Sequence, residues 1–418
     1  MLTGSTNDAS ASSFPGEHSK AIESLIGVIT NLVAHSTEER KRVSAAGAIA
    51  VFTKLIKICV AHPSPQAKAH VSKAAAAALW LLVLEPDNHA PFLKNEGPTV
   101  LLALCDEQST DEYLQAAFGI FRIVTAEEGS ASSRTTLATL GVVDRAVALI
   151  KTNGSADVLE QVVALIGTLA EDDSTRAEMV GKGVLDVLHH LLKPIPPAKA
   201  PKQTSQRRGN GGGSVAKPKY RPDRIILGVA STVASVIVGD PNCQTHACNT
   251  GILAALVQHV HLASNMRVFA QLLVSIEVTI ADNSAALTTF KEIGGTEALC
   301  DSLARASDEG SLVEALRVTD AIFADDAAKV ATLKEAHRLH YDFVGMLKHI
   351  ASISEVPSTA GLAKKLLLGL ESAISPTRKV GTAGGARSGS GGGGGSGGGG
   401  GRGISSKAKA LPGIRIPT

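Results

Sequence analysis

A glycine followed by a branched apolar residue recurs along this chain at near-regular intervals. The markers are Gly47-Ala48-Ile49, Gly97-Pro98, Gly141-Val142-Val143, Gly183-Val184-Leu185 and Gly251-Ile252-Leu253, continued by Gly294-Gly295. They lie 50, 44, 42, 68 and 43 residues apart. A period in the low forties without a strand pattern marks a chain built by stacking one helical unit on the next. Between the markers the apolar residues keep helical spacing. Val158, Leu159, Val162, Val163, Leu165, Ile166 and Leu169 form a wide apolar face of the kind a helix packed on two sides requires. Aromatic residues are only 3% of the chain, which suits close-packed helices.

The turn Thr168-Leu169-Ala170-Glu171-Asp172-Asp173-Ser174-Thr175-Arg176, running into Val180-Gly181-Lys182-Gly183-Val184-Leu185, resembles the armadillo repeat. That resemblance implies an all-α, right-handed solenoid with three helices per repeat, the third lining a concave groove. About six repeats are expected, preceded by a partial one that begins with Ala21–Ala34 as a lone third helix. The last unit, from about Ala336, has lost its glycine. The resemblance covers roughly residues 18–375 and divides the chain into a leader (1–17), repeats (18–193), an insertion (194–222), further repeats (223–375) and a tail (376–418).

The insertion explains the long 68-residue interval and is rich in Pro, Lys, Arg and Gly. The tail carries the runs Gly391–Gly395 and Gly397–Gly401. Neither buries enough apolar surface to fold, so both are expected to be disordered. The formal net charge of +2 conceals a segregation. Lys193–Arg224 carries +8 and Pro376–Thr418 carries +7, which leaves the remainder at −13. An acidic solenoid with two basic arms follows, the first arm carrying Arg207, Arg208, Lys217, Lys219 and Arg221.

Acidic residues recur just after each third helix, among them Glu127, Glu128, Asp172, Asp173, Asp282, Asp325 and Asp326. They read either as helix caps and turn residues or as a rim for a basic ligand, the chain's own arm included. Armadillo proteins that grip extended peptides place an asparagine near the end of each third helix. Aligned by distance to the following glycine, the equivalent positions here are Asn31, Leu81, Arg122, Thr168, Val236, Thr279 and Ile322. With one asparagine in seven and Trp80 the only tryptophan, the basic-peptide groove is not supported. Asn31, Arg122, Thr168 and Thr279 are the residues expected to contact some other partner.

Catalytic and cofactor chemistry find no support. Cys243, His246 and Cys248, with His259 and His261, match no standard zinc module. Arg208–Ser214 lacks the strand, lysine and helix of a phosphate loop. Five cysteines point to a reducing compartment, cytoplasm or nucleus, rather than to a disulfide framework. No apolar run is long enough to span a bilayer. The expected function is a non-catalytic scaffold or adaptor that binds a protein partner on the concave face. The alternative is a nucleic-acid-associated or nuclear transport-related factor acting through the basic arms.

Overall fold

The computed structural model describes residues 16–61, 65–106, 109–127, 129–152, 154–194, 221–323 and 326–374. Among them are 22 α-helices and no strand. A lone helix, α1 (Gly16–Ala34), precedes seven three-helix repeats. The first repeat is α2 (Thr37–Ala45), α3 (Ala48–Ala61) and α4 (Pro65–Val83). The second is α5 (His89–Lys94), entered through a 3-10 turn at Pro86–Asn88, then α6 (Gly97–Leu102) and α7 (Asp111–Thr125). The third is α8 (Ala131–Thr139), α9 (Val142–Lys151) and α10 (Ala156–Leu169). The fourth is α11 (Asp173–Gly181), α12 (Val184–Leu192) and α13 (Asp223–Ile237). The fifth is α14 (Pro241–Asn249), α15 (Ile252–Leu262) and α16 (Met266–Ile280). The sixth is α17 (Ser284–Glu292), α18 (Gly295–Arg305) and α19 (Glu309–Ile322). The seventh is α20 (Asp326–Arg338), α21 (Phe343–Ile353) and α22 (Pro357–Ile374).

A left-handed residue turns the chain from first to second helix in every repeat. Gly47 (φ +89°), Gly141 (+84°), Gly183 (+76°), Gly251 (+86°) and Gly294 (+84°) are the glycines that mark the period. In the second repeat the strained position falls on Glu96 (+59°), one residue before the glycine marker, and in the seventh on His340 (+66°). Gly97 is needed for a different reason: a Cβ there would stand 2.1 Å from the Phe92 ring. Counting glycines therefore gives about six repeats where the structure has seven, because the last turn is made by a histidine.

Burial follows the helical period. All seven apolar residues read from α10 are buried, at 1% exposure or less. The third helices stack as one ladder, α1 on α4, then α7, α10, α13, α16, α19 and α22 in succession. Among the described residues no helix precedes α1, and Leu25, Val28 and Leu32 are exposed on it. The ladder is continuous across the insertion, since α13 packs on both α10 and α16 and α12 packs on α13 and α15. No single described helix is long and apolar enough to cross a membrane.

The leader begins its helix earlier than expected, with Gly16 already in α1. Residues 195–220 and 375–418 lie outside the described residues, and so do Arg207, Arg208, Lys217 and Lys219 of the basic arm. Glu128 and Asp325 of the acidic series lie outside them too.

Candidate functional site: the solvent face of the third helices

The first helices hold the ends of the third. A helix leaves its last carbonyls without intrahelical donors and carries partial negative charge there. Side chains at the first helices, of the following repeat or of the same one, supply the donors. Arg40 of α2 donates to Val33 O (3.1 Å) at the end of α1. Asn88 and His89 reach Leu82 O (2.7 Å) and Val83 O (2.8 Å) at the end of α4. Arg134 Nε donates to Thr125 O (3.0 Å) after α7. Arg176 spans two layers, with Nε on Ala170 O (3.0 Å) and Nη1 on Val238 O (2.9 Å). Gln244 donates to Val278 O (2.7 Å) and Ala281 O (3.0 Å).

The same clamps and caps take up Glu127, Asp172 and Asp173 of the acidic series, with Glu85 and Glu171 beside them. Glu85 pairs with Lys41 (3.3 Å), Asp173 with Arg176 (2.8 Å) and Glu171 with Arg134. Glu127 stands 3.4 Å from His89 Nδ1. Asp172 caps α11 by accepting from Ser174 N (2.9 Å), and Asp240 caps α14. Asp282 is an exposed left-handed turn residue, and Asp326 begins α20. Cap and clamp are thus the observed roles of Glu127, Asp172 and Asp173, the blander of the two readings. Arg221 is half-buried, two residues before α13.

The third helices share one burial pattern. It starts from the first buried residue of each: Val71, Tyr113, Val158, Ile225, Val268 and Ser311. The positions six, nine and ten residues on face outward in nearly every repeat. Position six holds Ala77, Gly119, Ala164, Ser231, Val274 and Arg317. Position nine holds Trp80, Arg122, Gly167, Ala234, Glu277 and Asp320. Position ten holds Leu81, Ile123, Thr168, Ser235, Val278 and Ala321. On α10 and α13 all six are small, and Trp80 packs against Gly119, where a Cβ would come within 2.9 Å of the ring.

This register corrects the alignment by glycine spacing. Val236, Thr279 and Ile322 fall on position eleven, which is buried. Thr279 is fully buried, its hydroxyl donating to Ser275 O (2.6 Å), so it is not a surface contact. Thr168 is half-buried, with its hydroxyl 2.9 Å from that of Thr125. Asn31 is exposed near the end of α1, and Arg122 is half-buried on the outward face of α7. The spacing method slipped because the segments between a third helix and the following glycine differ in length.

Two charged groups on this face are short of partners. Arg122 donates to Gln161 Oε1 of α10 (3.0 Å) and forms no ion pair among the described residues; burial lowers its pKa and the Glu160 carboxylate opposes that. Glu277, on α16, is half-buried and forms no ion pair among the described residues. Burial is the main cause that raises its pKa; the Glu314 and Asp320 carboxylates add to it and the Arg317 guanidinium opposes it. Those neighbours already have cations, since Arg317 bonds Glu314 (3.0 Å) and Lys365 bonds Asp320 (2.7 Å). Sequence reading missed Glu277; only the nine-residue offset within the burial pattern picks it out.

Among the described residues no three His, Cys, Asp or Glu side chains are grouped to hold a metal ion. Cys243 Sγ donates to Asp240 (3.1 Å), and His259 Nε2 lies 2.8 Å from Leu192 O.

This arrangement has counterparts among solved structures. An engineered protein from a structural genomics consortium superposes with a TM-score of 0.65 at 16% identity, over 88% of this chain and 83% of its own. A designed armadillo repeat protein in complex with the peptide (KR)4 matches 65% of this chain and 98% of its own, with a TM-score of 0.50 at 15% identity. A second designed armadillo repeat protein gives a TM-score of 0.50 at 17% identity over 65% and 99%. The fold is that of an armadillo repeat solenoid. No protein-family model and no curated protein sequence matches the chain.

Proposed function

We propose that this armadillo solenoid is a non-catalytic protein-binding scaffold that takes its partner on the outward face of the third helices. The observation that supports this reading is the third-helix face that no other described element covers, small-sided on α10 and α13, on which Arg122 and Glu277 are half-buried without ion pairs among the described residues. Surface charges ordinarily stay solvated or paired, so half-burial without a counter-ion favours a partner that completes them. The acidic series does not offer an equal surface, because clamps and caps occupy it.

The test is comparative affinity capture from native lysate with the full chain, two point variants and a form lacking residues 198–220. Ser231→Trp fills the exposed centre of the third-helix face; Thr136→Glu alters an exposed position on α8. Partners lost with Ser231→Trp and kept with Thr136→Glu support the proposal. Partners indifferent to Ser231→Trp, or lost only when residues 198–220 are removed, move the function to the basic arm.

A further inference from the structure

Arg122 and Glu277 occupy the same position on two third helices three layers apart. The position-nine residue of one helix meets the next helix in the stack: Arg122 touches Gln161 of α10, and Asp320 of α19 touches Lys365 of α22. Among the described residues neither forms an ion pair: Arg122, in the α7–α10 seam, has only the more distant Glu160 carboxylate as counter-charge, and Glu277, in the α16–α19 seam, only Arg317, which is itself bonded to Glu314. Between them position nine is Gly167 and Ala234, and position six is Ala164 and Ser231. On α10 and α13 these positions carry no large side chain. Arg224 bonds Asp157 (2.6 Å) and Glu160 (3.1 Å) beside this path, one cation shared by two carboxylates.

We propose that the third-helix face reads an extended peptide of fixed charge polarity, seating an acidic residue at Arg122 and a basic residue at Glu277. Helix axes stack at about 8 to 10 Å, so three layers separate the two seats by roughly 25 to 30 Å. An extended chain advances about 3.3 to 3.6 Å per residue, which places the two charges about eight residues apart. Because one seat is positive and the other negative, the face distinguishes the two directions in which a peptide can lie. An all-basic peptide satisfies only the Glu277 end and is repelled at Arg122. This inference rests on the scaffold reading and names its ligand class.

The experiment is selection of a displayed library of random 16-residue peptides against the full chain. Enriched sequences are expected to carry Asp or Glu about eight positions from Lys or Arg, in one order along the peptide. The double variant Arg122→Glu with Glu277→Arg is expected to enrich the reverse order. For a peptide selected on the parent chain, Arg122→Gln and Glu277→Gln, which keep most of the side-chain volume, are each expected to weaken binding at least tenfold. Peptides that are blocked by Ser231→Trp but carry no such charge pair, or keep their order with the double variant, overturn the polarity and leave the scaffold standing. Peptides indifferent to Ser231→Trp, or no enrichment over it, overturn both.

Discussion

Arg176 shows how much of this fold rests on single polar side chains. Its guanidinium joins the carbonyl ends of α10 and α13, which no neighbouring backbone N–H can reach. Hydrogen bonds to charged groups are worth about 1.5–3 kcal/mol each. Arg176→Ala is therefore expected to destabilise the protein by about 2 to 3 kcal/mol, measured by urea unfolding, whereas Arg317→Ala on the exposed face should cost under about 1 kcal/mol. Titration is a second residue-scale test. Burial lowers the pKa of His189, His190 and His259, so the folded chain resists their protonation. The unfolded chain takes up those protons first as pH falls below about 6.5. Stability is thus full above pH 6.5 and declines as pH falls from there. Glu277 and Glu314 are raised and act oppositely, but only from their folded values downward. A melting temperature that is lower at pH 5.5 than at pH 7.5 is the expected result; a flat profile would contradict neutral burial of the histidines. Thiols add a third: burial pushes Cys105 up to about 12, so it should resist alkylation in native protein while the half-buried Cys248 reacts first.

At the scale of the element, the turn between first and second helices is where sequence and structure meet most directly. The glycines were legible because only a residue without a Cβ adopts positive φ freely. Glu96 and His340 were not, because a non-glycine residue at φ +59° or +66° leaves no composition signal. Left-handed backbone costs about 1–2 kcal/mol for such residues, part of which glycine returns through its greater unfolded-state freedom. His340→Gly is expected to stabilise by about 1 kcal/mol, and Gly183→Val to destabilise by a similar amount or more, each read from thermal unfolding. The third-helix cores were legible for the same kind of reason, since a two-sided apolar face leaves a dense 3.6-residue pattern. The outward face was not: Arg122 stood out as a cation at a groove position, but Glu277 carries no periodic mark, and Thr279 is buried because register cannot be counted across loops of unequal length. The arginine clamps were invisible because their acceptors are backbone carbonyls.

Across the whole molecule, one stack of third helices runs from α1 to α22 and passes the insertion without a break. Unfolded loops of different length change stability only slightly. Replacing Ala198–Tyr220 by a short Gly-Ser linker is expected to shift the melting temperature by less than about 2 °C; a fall of several degrees would mean that the basic arm packs on the solenoid. The account as a whole claims that binding occurs on the outward face of the third helices rather than on the first helices or the arms. Placing a photo-reactive phenylalanine analogue at Ser231, and in a second protein at Thr136, tests that claim most directly. Irradiation in native lysate should yield a discrete cross-linked partner from position 231 and none from position 136. Cross-links from 136 alone, or equally from both, would contradict it.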